Sequence, residues 1–202
     1  MSATTDTSAS ALASQPVARS DLAWRFVAPW IRFLLPAISG LALDLWLKAY
    51  AFPMGVPTVI PGLHPTQIPA GRHPALLYPP EPLIPHVLGF TTTINKGMVF
   101  GIAQGFVWLF LVFSIAATVL ILWVFATSKR TQWVVQLALG LILAGALGNM
   151  YDRAVYSGVR DMLKFTVEWY PYIFNMADVL LCIGVPTLML CWLLPPKSDV
   201  AK

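Results

Sequence analysis

The stretch Gly148-Asn149-Met150-Tyr151-Asp152-Arg153 closes one long apolar run, and Phe174-Asn175-Met176-Ala177-Asp178 opens the next. Two Asn-x-x-Asp elements therefore flank one polar connection between segments long enough to cross a bilayer. Residues three apart share a helical face, so each Asp is expected to carry an Asn beside it. Two such helices meeting at one membrane surface would bring the acids together.

Working toward the N-terminus, the run from about Trp133 to Met150 is separated from another, about Phe106 to Ala126, only by a short turn carrying Lys129-Arg130. So short a connection cannot cross the membrane, and the two runs form an antiparallel hairpin. Toward the C-terminus, a further span runs from about Ile173 to Leu194. The first span, about Phe33 to Phe52, follows Arg19, Arg25 and Arg32 and is too long for the core of a cleaved signal peptide. Four spans result: an all-α integral membrane protein, with a small irregular or β-containing cap outside the bilayer.

Composition agrees. At 57% hydrophobic and 11% charged residues over 202 positions, the chain is too apolar for an ordinary soluble domain. Its formal +4 comes from basic residues beside the apolar runs, which orients a membrane protein and does not suit a nucleic-acid partner. Basic residues border the first span, the Lys129-Arg130 turn and the tail with Lys197 and Lys202, so both termini are expected to be cytoplasmic. The domain plan is a flexible tail over 1–22, one four-helix domain over 23–196 and a tail over 197–202.

The segment from Pro53 to about Thr93, extending as an extramembrane loop to about residue 100, is rich in Pro and Gly and reads as irregular; Thr91-Thr92-Thr93-Ile94 predicts a short strand. His64, His73 and His86 lack ligand spacing. Cys182 and Cys191 lie nine positions apart on roughly opposite sides of one helix. With no phosphate loop either, the chemistry is expected to need no metal and no cofactor.

Charges within spans are expensive. Asp44 and Lys48 stand four apart in the first span, an orientation that favours a structural ion pair with Lys48 snorkelling toward the surface; a direct substrate role is the alternative. Two carboxyls a few ångströms apart cannot both ionise easily, so one keeps a proton while the other activates water. From spacing alone Asp152 and Asp178 are open to catalysis, to proton or ion transport, and to structural pairing. Asp152 lies at a helix C-terminal end and Asp178 at an N-terminal end, which predicts Asp178 as the resting carboxylate and Asp152 as the resting acid.

The order of motifs, Asp44 with Lys48, Asn95-Lys96-Gly97 with Phe100-Gly101, Gly148-Asn149 with Asp152-Arg153, Asp161, and Phe174-Asn175 with Ala177-Asp178, resembles bacterial lipoprotein signal peptidase, the signal peptidase II family. The resemblance spans all four predicted helices. It implies an inner-membrane aspartic endopeptidase, acting as a single chain near the periplasmic face, that cleaves prolipoproteins before a diacylglyceryl-modified Cys among membrane lipids. By the same matching Asp152 and Asp178 are the catalytic pair, and Asp44, Lys48, Asn95, Gly97, Asn149, Arg153, Asn175 and Ala177 shape the site or engage substrate. Met98-Val99 and Met162 depart from the pattern expected of the family, and the outer loop and the connection between the acids are longer. A small proton-coupled carrier or a non-catalytic lipoprotein-binding relative is the competing reading.

Overall fold

A computed structural model of the chain describes residues 18–52, 81–95, 107–167 and 172–194. Gly97 lies outside the described residues, as do Lys96, Met98, Val99, Phe100, Gly101 and both tails beyond 17 and 194. Among the described residues, four helices are long and apolar enough to cross a membrane: α1 Val27–Ala51, α2 Val107–Thr127, α3 Trp133–Tyr156 and α4 Met176–Leu193. Helix α3 is the most buried and the central one, touching α1, α2 and α4.

Small residues set how closely the helices approach, as expected where lipid supplies no hydrophobic drive between them. A Cβ on Gly145 would sit 2.5 Å from the Ala177 carbonyl oxygen, and one on Gly184 would sit 2.7 Å from Ile142. At the end near the α2–α3 turn the gap is filled by larger groups, with Phe33 stacked on Phe125 at 4.3 Å between ring centroids, over Val135, Leu139 and Ile142.

Beyond the other end lies a four-stranded antiparallel sheet in chain order: β1 Glu81–Ile84, β2 Leu88–Asn95, β3 Val159–Phe165 and β4 Ile173–Phe174. The expected strand at Thr91–Ile94 is present inside a longer one, with Thr93 opposite Asp161 and Asn95 opposite Val159. Buried Met162 and Leu163 seat the sheet on Ala51 and Leu47 at the end of α1. The stretch 159–165, read from sequence only as a connection, is thus a strand.

Several boundaries differ from expectation, among them the start of α4, at Met176 instead of Ile173 because Ile173–Phe174 form β4. Helix α1 begins at Val27 instead of Phe33; Pro29 falls in its first turn, where a missing N–H breaks no helical bond. Helix α3 runs on to Tyr156 and ends at Ser157 in the left-handed conformation, φ 55°, which places Asp152 inside the helix and not at its end. Residues 19–22, assigned to a flexible tail, are folded: two short 3-10 turns, Arg19–Asp21 and Ala23–Arg25, lie against the α2–α3 turn.

Candidate functional site

The site grows from Asn175, the N-cap of α4. Its Oδ1 accepts the Asp178 backbone N–H at 3.0 Å, and Asp178 Oδ2 accepts the Asn175 N–H at 3.2 Å. This reciprocal capping box satisfies two amides that a helix start would otherwise leave without partners. Because Oδ1 must face an N–H, Nδ2 must face the other way, and it donates to Asp161 Oδ1 at 2.6 Å and to Asn149 Oδ1 at 3.2 Å.

Asn149 repeats the logic from α3. Its Oδ1 also accepts from Lys48 Nζ at 3.3 Å, so its Nδ2 is turned to Asp178 Oδ1 at 2.9 Å. Asn95, at the end of β2, donates to Asp161 Oδ2 at 3.2 Å. Three amides from three elements thus converge on two carboxylates, Asp161 and Asp178. Asp161 is almost wholly buried. Burial first, and the charge of Asp178 second, push its carboxyl up to about 8 from 3.8, against the opposing pull of the Asn175 and Asn95 amides.

Through the Asn175 and Asn149 amides Asp178 is linked to Asp161, whereas Asp152, expected beside Asp178, has other partners. Asp152 is fully buried between two cations. Its Oδ2 meets Lys48 Nζ at 3.0 Å and the Arg160 backbone N–H at 3.0 Å, while Oδ1 receives Arg160 Nη2 at 2.8 Å and Nε at 3.1 Å. These donors engage both Asp152 carboxylate oxygens. The first Asn-x-x-Asp element serves across helices, the Asn149 amide going to Asp178 and not to Asp152, whereas the second closes on itself as the capping box.

Lys48 does not snorkel. It is fully buried, its Nζ 2.7 Å from Asp44 Oδ2. Two carboxylates, of Asp44 and Asp152, and the Asn149 amide oxygen surround its ammonium. Asp44 Oδ1 accepts the Ala177 backbone N–H at 2.9 Å, so Ala177 enters the site through its main chain. A Cβ on Gly148 would collide with Asp44 Oδ2. Asp44, Lys48, Asp152 and Arg160 form a closed cluster of two anions and two cations directly behind the amides.

Arg153 is half-buried on α3, its guanidinium 5.5 Å over the Phe110 ring and its Nη1 3.3 Å from the Asn149 carbonyl. Arg160, missed by the motif reading, is the second partner of Asp152 and lies 4.3 Å over the Tyr156 ring. The signal was its place beside Asp161 in a stretch of mixed polarity facing the end of α3.

Comparison with known proteins follows this geometry. A family model described as signal peptidase (SPase) II matches residues 37–194. Lipoprotein signal peptidases of Desulfitobacterium hafniense, strains DSM 10664 / DCB-2 and Y51, are each 36% identical over 118 residues, covering 58% of this chain and 77% of theirs. Among solved structures, a bacterial membrane enzyme determined by the in meso method at 2.3 Å superposes with a TM-score of 0.63 at 25% identity, covering 83% of this chain and 90% of that one. A second, at 1.9 Å, gives 0.59 at 24% identity, covering 80% and 92%, and shows the fold alone.

Proposed function

The chain belongs to the signal peptidase II family and is a membrane-embedded aspartic peptidase that cleaves lipoprotein signal peptides, and from that premise we propose that Asp161 and Asp178 are its catalytic pair. The observation that carries the assignment is the bridge Asp161–Asn175–Asn149–Asp178, with links of 2.6, 3.2 and 2.9 Å. It holds two carboxyls in one site, and only one of them readily stays charged.

In this reading Asp161 keeps the proton. Asp178 is the carboxylate, supported by the Asn149 amide and by the N-terminal end of α4, whose dipole favours negative charge. Asp178 takes a proton from water as the water oxygen attacks the scissile carbonyl carbon. The Asp161 hydroxyl donates to the oxygen on which charge develops. As the tetrahedral intermediate collapses, the C–N bond breaks and a proton passes to the departing amine, returning the pair to one shared proton. Asp152 takes no part in proton transfer and belongs, with Asp44, Lys48 and Arg160, to the support behind the amides. Asn95 and Asn175 position Asp161, and Arg153 balances the charge of Asp178.

The protein resides in the bacterial inner membrane. The substrate class is the prolipoprotein, and the finer reading is cleavage just before a diacylglyceryl-modified Cys by a single chain surrounded by lipid. The α2–α3 turn and both termini face the cytoplasm in this reading, and the sheet and acids face outward, because basic residues cluster at the former end. The deciding test presents purified protein with diacylglyceryl-modified prolipoprotein: cleavage immediately before the modified Cys supports the reading, and binding without cleavage rejects it.

A further inference from the structure

At the end of the bundle opposite the acids, residues 19–26 form an ordered collar around the α2–α3 turn. The Ala23 N–H donates to the Ser128 carbonyl at 2.9 Å, the Arg130 N–H to the Asp21 carbonyl at 2.8 Å, and Leu22 bridges Lys129 as in an antiparallel ladder. Gln136, fully buried in α3, ties the turn from beneath by donating to the Lys129 carbonyl at 3.0 Å. The family match begins at residue 37, so the collar is a feature of this chain that the match does not cover.

Among the described residues, the collar gathers Arg19, Arg25, Arg32, Lys129 and Arg130 around a single acid, Asp21, which faces Arg130 Nε at 3.4 Å. The other guanidiniums are set by neutral groups. Arg25 Nη1 donates to the Arg19 carbonyl at 3.3 Å and its guanidinium lies 5.7 Å over the Trp24 ring; Arg32 Nη1 donates to the Arg130 carbonyl at 3.3 Å. These contacts orient the forks, and among the described residues they leave their charge uncompensated. Beside them Trp24, Val27 and Trp30 are exposed, with Trp30 Nε1 donating to the Trp24 carbonyl at 2.9 Å. Ordered cations with exposed indoles, at the level where spanning helices end, are what a lipid headgroup layer meets.

We propose that this collar is a binding site for anionic phospholipid headgroups, the phosphate and its negative charge lying among Arg19, Arg25 and Lys129, with Trp24 and Trp30 at the boundary between headgroups and acyl chains. Guanidinium forks match phosphate oxygens, and basic residues at a membrane boundary attract anionic lipid. Because the collar joins the start of α1 to the α2–α3 turn, lipid bound there ties two parts of the chain more than a hundred residues apart, and so stabilises the folded bundle.

The test uses the full-length protein in micelles doped with phosphatidylglycerol, phosphatidylcholine or inorganic phosphate, read as the midpoint of thermal unfolding. Phosphatidylglycerol is expected to raise the midpoint over phosphatidylcholine by about 2–4 °C or more. Salt at about 0.5 M should remove most of that difference, as should the triple variant Arg19→Gln/Arg25→Gln/Lys129→Gln, whose cleavage activity in plain micelles reports that it is folded. The salt arm uses the wild-type chain and decides the matter even if the variant misfolds. Equal midpoints in the two lipids, a difference that survives salt or a folded triple variant, or an equal shift from inorganic phosphate alone would each overturn the proposal.

Discussion

Asn149 reaches across from α3 to donate its amide to Asp178 at 2.9 Å, although Asp152 stands only three residues further along its own helix. The same side chain accepts from Lys48 at 3.3 Å, so one amide couples the charge cluster to the acid pair.

Asp161→Asn and Asp178→Asn should each abolish cleavage, by a factor of at least about 10³, since an amide cannot exchange the proton in the cycle. Both should insert and fold, and Asp161→Asn removes one of two adjacent acids. Asp152→Asn should differ in kind, costing about 3–5 kcal/mol because Lys48 and Arg160 lose their shared carboxylate. Unfolding midpoints measured beside turnover check this. An Asp161→Asn variant with near-normal turnover would remove Asp161 from the pair.

The Asp161 carboxyl is raised from 3.8 to about 8, chiefly by burial. Between those values the folded protein holds a proton that the unfolded chain has released. Stability therefore falls as pH rises through that window, by at most about 1.4 kcal/mol per pH unit, and levels off above it. Turnover should also decline above about pH 8, where the pair loses its proton. Equilibrium unfolding from about pH 5 to about pH 9 should show this slope in the wild type and a flatter one in Asp161→Asn; equal slopes would contradict the assignment.

Lys48→Met leaves Asp44 and Asp152 facing each other with only Arg160 to offset them, and should destabilise strongly. Adding Asp44→Asn restores a neutral cluster, so the double variant should regain much of the lost stability. Turnover should stay low, by about 10²-fold, because Asn149 Oδ1 still lacks its lysine donor. The pair of variants, measured for both stability and kcat, distinguishes orientation of Asn149 from simple folding. Recovery of both together would reduce Lys48 to a structural ion.

Cysteines placed at Val167 and Thr131, in a background without Cys182 and Cys191, should react differently with an impermeant thiol reagent in intact cells. Val167, just past the sheet, should label from outside, and Thr131, in the α2–α3 turn, should label only after permeabilisation. The reverse pattern would invert the bundle.

The spans were readable because hydrophobic length and flanking charge are local properties: the hairpin around Lys129-Arg130 and all four helices follow from them, with ends displaced by a few residues. The Asp44–Lys48 pair was equally legible from its spacing. What could not be read was where the Asn149 amide goes. The i,i+3 rule places Asn149 and Asp152 on one face of α3, but orientation of the Asn149 amide is decided by Lys48 from α1 and Asn175 from α4. Asp161 is delivered by strand β3, whose partner β2 lies 66 residues away at the Asn95–Asp161 contact, and no local pattern encodes such a pairing. Thr91–Ile94 was one clue, since a lone strand implies a partner, and the place of Asp161 in the motif order was another.

The separation of Lys48 from α3 also matters before the protein is complete. Asn149 emerges 101 residues after Lys48, so at about 5–20 residues per second the ribosome takes on the order of 5–20 s to supply it. During that interval α1 enters the bilayer with a buried lysine and none of its α3 partners. Asp44, one helical turn away at 2.7 Å, is the counter-ion present from the start. A chain carrying Asp44→Asn would expose a lone cation during insertion, and its defect would arise at the translocon, ahead of any defect in the finished peptidase.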